Sequence, residues 1–147
     1  MSRRVLVAAM SILAAVTLSR AQTAVPHETA FPFGLFFAAA AMDGKPFNDR
    51  SRIFKITRDP TGHWMWGYAG CNHYNARVEF SAGDRFAFRS GRITGMYCRG
   101  RIEIEQPYFE TLKRMRRWRM QADTLFLEGE DVVMQFEPAT SVFPRVR

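Results

Sequence analysis

Residues 67–74, with the sequence GYAGCNHY, decide the fold of this chain. The stretch begins with the alternation of a strand, breaks at Gly70-Cys71-Asn72, and then resumes as a strand. Its partner is ITGMYC, residues 93–98, which carries the second of the two cysteines. Together the two segments indicate a fold, but they identify neither a reaction nor a ligand.

The N-terminal segment has the layout of a secretory signal peptide. Residues 1–4 are basic, residues 5–18 form an apolar run, and the small residues Ser19 and Ala21 mark a cleavage position. A short membrane anchor is the alternative, but the run is shorter than the roughly 17–25 residues that a spanning helix needs. We therefore predict a signal peptide over residues 1–21 and a periplasmic or secreted location.

The rest of the chain predicts a flexible leader at residues 22–32, one domain at residues 33–138 and a tail at residues 139–147. Apolar runs between turn signals predict strands at 33–42, 52–57, 63–69, 74–80, 85–89, 118–120, 125–128 and 132–137. One helical segment lies between the fifth and sixth of these strands. This order predicts an α+β fold with a mostly antiparallel, partly rolled sheet and one helix.

The helix is predicted from apolar residues that recur every three or four positions, namely Ile104, Tyr108, Leu112 and Met115. Proline is tolerated in the first turn of a helix, where its missing N–H has no partner to lose. Because Pro107 must then lie in the first turn, the helix is expected to begin near residue 105 or 106. Leu112 is expected at the interface between the helix and the sheet.

Three aromatic side chains alternate along the predicted strand at residues 63–69. Trp64, Trp66 and Tyr68 fall on one face because successive strand side chains point to opposite sides of a sheet. Large aromatic residues dominate protein cores, so we interpret this face as part of the sheet core. An aromatic platform for a ligand is the alternative.

The two cysteines are an even count in a chain that is predicted to be exported, which favours a disulfide between Cys71 and Cys98. Free thiols are a second possibility. A metal site that recruits His63 or His73 is a third, although the spacing typical of zinc ligands is missing. All three alternatives stay open at this level.

The order of the two cysteine segments resembles a known family. Gly70-Cys71-Asn72 followed by Thr94-x-Met96-x-Cys98, a helix and a Leu-x-Leu strand is similar to the META domain of HslJ-like heat-shock proteins. The resemblance covers residues 42–137. The family usually has a tryptophan on its first strand, where this chain offers only phenylalanines, and it often has alanine at the position of Tyr97.

The resemblance implies a compact, partly rolled antiparallel sheet packed on one helix and, for bacterial members, an envelope or secreted location. Members are linked to heat shock and to novobiocin resistance, and the family has no established reaction. The family fold is also similar to that of a type III secretion pilotin, which binds lipid and a secretin segment. Fold similarity does not by itself transfer a function.

The candidate chemistry is sparse. No paired carboxylates, nucleophile elbow, phosphate loop or zinc-protease motif is present in the sequence. Thr94 is expected to bond backbone near the bend at Cys98, and Asn72 to support a tight turn, because asparagine tolerates left-handed backbone. We therefore predict a noncatalytic, stress-related protein without catalytic residues, cofactor or metal. A small secreted enzyme or inhibitor with an unrecognised site is the alternative.

The expected partners follow from charge and compartment. The formal charge is +7, which falls to +4 when the three arginines of the signal peptide are removed. The basic run at residues 113–117 is interpreted as the solvated end of the helix, because export makes nucleic acid an improbable partner. We predict an envelope protein or a lipid-like ligand as the partner of a monomer that is not an integral membrane protein after signal cleavage.

Overall fold

The computed structural model describes residues 30–140, so the predicted signal peptide, most of the leader and the end of the tail lie outside the described residues. Nine strands and one α-helix make up this part of the chain. The elements are β1 Phe36–Met42, β2 Lys45–Pro46, β3 Arg52–Asp59, β4 Gly62–Ala69, β5 His73–Ser81, β6 Arg85–Ile93, α1 Ile102–Arg114, β7 Arg117–Gln121, β8 Thr124–Glu128 and β9 Val133–Ala139. The predicted α+β fold is confirmed.

The nine strands form one antiparallel sheet in the order β2-β1-β3-β4-β5-β6-β7-β8-β9. An additional antiparallel pairing of β1 with β9 closes the sheet on itself. The seam between β6 and β7 is thin, because these strands pair only at Arg85 and Arg117. Helix α1 connects the same two strands along the chain and packs against β6 and β4. The sheet is therefore rolled, with the helix beside its narrowest seam.

The burial of β4 differs in part from the prediction, since Tyr68 is buried as expected but Trp66 is not. Met65 and Ala69 are fully buried, whereas Trp66 lies on the outer face and is 43% exposed. A Cβ atom at Gly67 would lie 2.4 Å from Cζ of Tyr74, so aromatic rings from neighbouring elements already fill the interior there. The assignment of Trp66 to the core was therefore wrong. Period-two alternation separates two faces of a strand but does not say which one is enclosed.

Helix α1 begins at Ile102, three residues before the predicted start, and Pro107 lies in its second turn. The Arg101 carbonyl accepts the first helical bonds, from the amides of Ile104 and Glu105. Pro107 removes the bond to the carbonyl of Glu103, which is exposed and can face solvent instead. The predicted burial of Leu112 is confirmed, since its side chain has no exposed surface.

Two strand boundaries differ from the prediction by three residues or more. Strand β1 starts at Phe36 rather than residue 33, because Gly34 has a φ of 81° and its amide bonds the carbonyl of Ile56. Strand β6 runs on to Ile93 rather than ending at residue 89. Phe31, which was assigned to the leader, is buried with its ring centroid 5.1 Å from that of Trp118. The packed part of the chain therefore begins before residue 33.

Candidate functional site

Asn72 is the centre of a buried polar cluster at the junction of β4 and β5. Its side chain is only 6% exposed, and Glu105 on helix α1 is 7% exposed. The Asn72 backbone amide donates to Oε2 of Glu105 at 2.8 Å, and the Asn72 Nδ2 donates to Oε1 at 2.9 Å. One carboxylate thus receives two donors from one residue, which joins the helix to the break between the strands. Burial of a carboxylate is tolerated only with such partners.

The carbonyl oxygen of the same Asn72 side chain binds the segment that follows β6. It accepts hydrogen bonds from Oγ1 of Thr94 and from the amide of Met96, both at 2.8 Å. Oγ1 of Thr94 in turn accepts from the amide of His73 at 3.1 Å. Thr94 therefore supports Asn72 and β5. It bonds backbone as expected, but that backbone is the amide of His73 in β5 and does not belong to the bend at Cys98.

The prediction of a left-handed backbone at Asn72 was also wrong. The residue with positive φ at this junction is Gly70, at 101°. Because glycine makes the turn without steric cost, the asparagine is free to act through both ends of its side chain. In the sequence, Glu105, the partner of Asn72, is only an acidic residue near the start of the predicted helix. Its separation of 33 residues from Asn72 left no local signal of the contact.

Cys71 and Cys98 form a disulfide beside the polar cluster. Their Cα atoms are 5.8 Å apart, and the bond spans 27 residues of sequence. The carbonyl of Cys98 accepts a hydrogen bond from the amide of Arg101 at the start of α1. Of the three alternatives that the sequence left open, the structure contains the disulfide. The six motif residues Gly70, Cys71, Asn72, Thr94, Met96 and Cys98 thus lie together at the meeting of β4, β5, the loop after β6 and α1.

Removal of the Thr94 hydroxyl tests the outer part of this cluster. We expect Thr94→Val to lower the free energy of unfolding by about 1 kcal/mol, because the His73 amide loses its acceptor and Asn72 loses a donor. Urea unfolding would measure the change. Thr124→Val is a matched control, since the Thr124 hydroxyl has no hydrogen bond to residues 30–140. Equal effects of the two substitutions would contradict the assigned role of Thr94.

Two buried tyrosines lie next to the polar cluster. The hydroxyls of Tyr74 and Tyr108 are 3.1 Å apart. Burial raises the pKa of Tyr108 to about 12, and burial raises the pKa of Tyr74 well above its usual value of 10. Both phenols are therefore neutral at physiological pH, which suits a structural hydrogen bond and does not supply a general base.

A groove opens between β6 and α1, on the side of the cluster that faces solvent. Its volume is about 480 Å³, and Tyr74, Phe88 and Phe109 contribute aromatic surface to its lining. Ile93 on β6 and Ile102 on α1 also line it, with 49% and 60% of their surface exposed. Exposed apolar side chains around a concavity are the usual property of a ligand or partner site. No pattern in the sequence indicates this groove.

Charged side chains border the groove on both sides. Arg89 bonds Glu79 across β5 and β6, and Lys113 bonds Glu110 on the helix. Arg92 is exposed and forms no ion pair with any residue in the described part of the chain. The groove therefore has a largely apolar lining that also includes Glu105 and Gln106 of α1, and Arg92 is a cation without an ion pair at its β6 side.

The remaining titratable groups do not form a recognisable metal site. Among residues 30–140, no three His, Cys, Asp or Glu side chains are placed to hold a metal ion. Both cysteines are oxidised, so neither is a nucleophilic thiol. The predicted lack of a cofactor, a metal and a catalytic activity stays a prediction.

Helix α1 is the one α-helix between residues 30 and 140, and it is neither long nor apolar enough to cross a membrane.

Comparison with known proteins gives a family and two similar structures. The sequence model of the META domain matches residues 36–141. A solved NMR structure of a protein from Burkholderia xenovorans has a TM-score of 0.61 and 21% identity, and the match covers 79% of this chain and 89% of that one. A second NMR structure has a TM-score of 0.50 and 18% identity, with 70% and 87% covered. No curated protein has a significant match.

Proposed function

This chain belongs to the META domain family, and we propose that it is a noncatalytic, stress-related binding protein of the cell envelope or the exterior. Its binding site is the groove between β6 and α1, which receives an apolar group of a lipid-like ligand or of a partner protein. The observation that carries this proposal is the pair of exposed side chains Ile93 and Ile102 at the mouth of an apolar concavity.

The motif residues support the proposal indirectly. The side chains of Asn72 and Glu105 are hydrogen-bonded to each other and to the protein backbone, and both residues are buried. Cys71 and Cys98 are bonded to each other. The most distinctive residues of the sequence therefore hold the β4–β5 junction and helix α1 together. Because their polar groups are already bonded, the neighbouring groove is the surface that remains available for an interaction.

The location is part of the proposal. A structural disulfide is stable in an oxidising compartment, and the N-terminal pattern is that of an exported chain. Export predicts that the protein recovered from the envelope fraction or the medium begins at Gln22. Mass spectrometry of that protein would measure its N-terminus, and an intact Met1 on protein from the cytoplasm would contradict export.

Binding of laurate tests the groove. We expect saturable binding that shifts the NMR signals of Ile93, Ile102 and Phe109, because the twelve-carbon chain can cover their apolar surface. Ile93→Gln keeps the side-chain size but puts an amide in the mouth of the groove, so binding should weaken by about tenfold, the effect of losing roughly 1.4 kcal/mol.

Leu35→Gln is the matched control, since Leu35 is also an exposed apolar residue but does not line the groove. It should bind laurate like the unmodified protein. Equal binding by Ile93→Gln and Leu35→Gln would contradict the groove as the site, and the absence of saturable binding would contradict a lipid-like occupant. Hydrolysis of a generic ester that disappears in Thr94→Val would instead favour the alternative of a small secreted enzyme.

A further inference from the structure

One edge of β6 has no strand beside it in the described part of the chain. The strand pairs with β5 from Arg85 to Ile93, but with β7 only at Arg85. The amide of Phe86 makes the neighbouring bond, to the carbonyl of Arg116. From Ala87 onward, the outer edge of β6 therefore has no paired neighbour. The N–H and C=O groups of such an edge are a ready template for another extended chain.

Helix α1 lies beside this edge without filling the space in front of it. The groove of about 480 Å³ separates the two elements and is lined by residues 88–93 of β6. Gly91 lies in the middle of this segment, where the β5–β6 register shifts. A Cβ atom there would come within 2.5 Å of the Asn75 carbonyl oxygen, so β6 lies tight against β5 at this point. The backbone that this glycine allows to approach closely is therefore that of β5, at the register shift.

The unpaired backbone groups and the arginines of the β6 edge distinguish between a hydrocarbon chain, a second copy of this chain and an extended peptide. A hydrocarbon chain can cover Phe88 and Ile93 but offers nothing to the unpaired backbone groups. A second copy of this chain could pair β6 with β6, but it would bring Arg89 and Arg92 of one copy near the same arginines of the other. Like charges on neighbouring strands are destabilising. An extended peptide of opposite charge meets both requirements.

We propose that β6 binds an extended, acidic peptide segment of a partner protein as an added strand along residues 88–93. The inference rests on the proposed function, because it names the occupant of the same groove. Alternate side chains of the added strand lie toward Phe88, Ile93 and Phe109, and the others lie toward Arg92, which borders both the groove and the surface beside Trp64. The fitting peptide therefore alternates apolar and acidic residues.

Synthetic heptapeptides of alternating valine and aspartate, blocked at both ends, are the probe. Binding to the purified protein would be followed by NMR shifts and amide exchange at Phe88, Gly91 and Ile93. Three comparison probes separate the contributions: the same peptide N-methylated at every backbone amide, a valine–lysine peptide, and laurate. The N-methylated peptide keeps its side chains and charge, but it has no backbone N–H to donate to β6 and its methyl groups block close pairing along either edge.

We expect the valine–aspartate peptide to bind and to protect the three β6 amides, with affinity about tenfold or more above that of the N-methylated and the lysine peptides, since each lacks one component of recognition. Arg92→Gln should weaken binding several-fold without changing the melting temperature. Lys45→Gln, at the exposed strand β2, should have no effect.

The outcomes separate this inference from the proposed function. Equal binding of the N-methylated peptide would overturn strand addition while leaving an apolar groove intact. Binding of laurate without any peptide would do the same and would assign the groove to a lipid. Binding of the valine–lysine peptide in preference to the acidic one would overturn the role of Arg92. No binding of any probe would overturn both proposals.

Discussion

Asn72→Ala should lower the free energy of unfolding by about 3–5 kcal/mol, because it removes the side-chain donor to a buried carboxylate together with the side-chain bonds to Thr94 and Met96. Glu105 is 7% exposed, and its two oxygens accept from the backbone amide and the side-chain amide of Asn72. Alanine at position 72 retains the backbone amide that donates to Glu105. It loses the side-chain bonds that hold this amide in place, including those to Thr94 and Met96. The break between β4 and β5 would then lose its attachment to α1.

Urea unfolding at neutral pH would measure this loss. Asn75→Ala is the matched control, since Asn75 lies three residues further on and its Oδ1 has no hydrogen-bond partner within residues 30–140. Its effect should be about 1 kcal/mol or less. A loss in Asn72→Ala no larger than in Asn75→Ala would refute the structural role assigned to Asn72.

A double-mutant cycle isolates the pair itself. Asn72→Ala leaves the buried Glu105 carboxylate without its side-chain donor. If this loss causes the destabilisation, Glu105→Gln in the same chain should recover part of the free energy of unfolding, because burying a neutral amide costs less free energy than burying a charge. The coupling free energy between the two positions should be about 1–3 kcal/mol, since residues of one hydrogen-bonded network are not additive. A coupling near zero would show that the loss arises from packing alone.

Removal of the disulfide should also have a large effect. The Cys71→Ala/Cys98→Ala double variant should be less stable by about 3.5 kcal/mol, because the unfolded chain gains the entropy of a loop that the bond now closes. The loop spans 27 residues of sequence and contains β5 and β6. Loss of the bond would also free the segment before α1 from the β4–β5 junction.

Thiol titration would test whether the disulfide is present, and denaturant unfolding would measure its contribution to stability. The unfolded, unreduced protein should show no free thiol, and addition of a phosphine reductant should lower the stability of the original chain to that of the double variant. The double variant itself should not respond to the reductant, which controls for nonspecific effects. Two titratable thiols before reduction, with a stability that the reductant leaves unchanged, would make both cysteines ordinary core residues.

The strand order and the helix were predictable because their signals are local. Turn residues such as those at 59–62 and 81–84 separate alternating runs, and a run with a helical period shows a helix directly. Glu105 illustrates the limit of such signals. An acidic residue near a helix start is already explained by the helix dipole. The sequence therefore offers no reason to expect the long-range bond between Glu105 and Asn72 that the structure shows.

The groove was not predictable for a related reason. Ile93 and Ile102 are ordinary apolar residues in the sequence, and only the single-pair seam between β6 and β7 leaves space beside them. Trp64 and Trp66 are the converse case. Their size favoured a core position, but the direction in which the sheet rolls leaves Trp66 on the outer face.

The sequence by itself determined the α+β class, the antiparallel sheet, the family and the candidate cysteine pair, because periodicity, turn chemistry and motif order are properties of neighbouring residues. Only the tertiary structure decided which face of β4 is enclosed, which groups surround Asn72, and where the rolled sheet leaves an unpaired edge. Those features depend on contacts between residues such as Asn72 and Glu105, which are far apart in sequence. The packing of α1 against β6 and β4 brings such residues together, and no local pattern in the sequence specifies that packing.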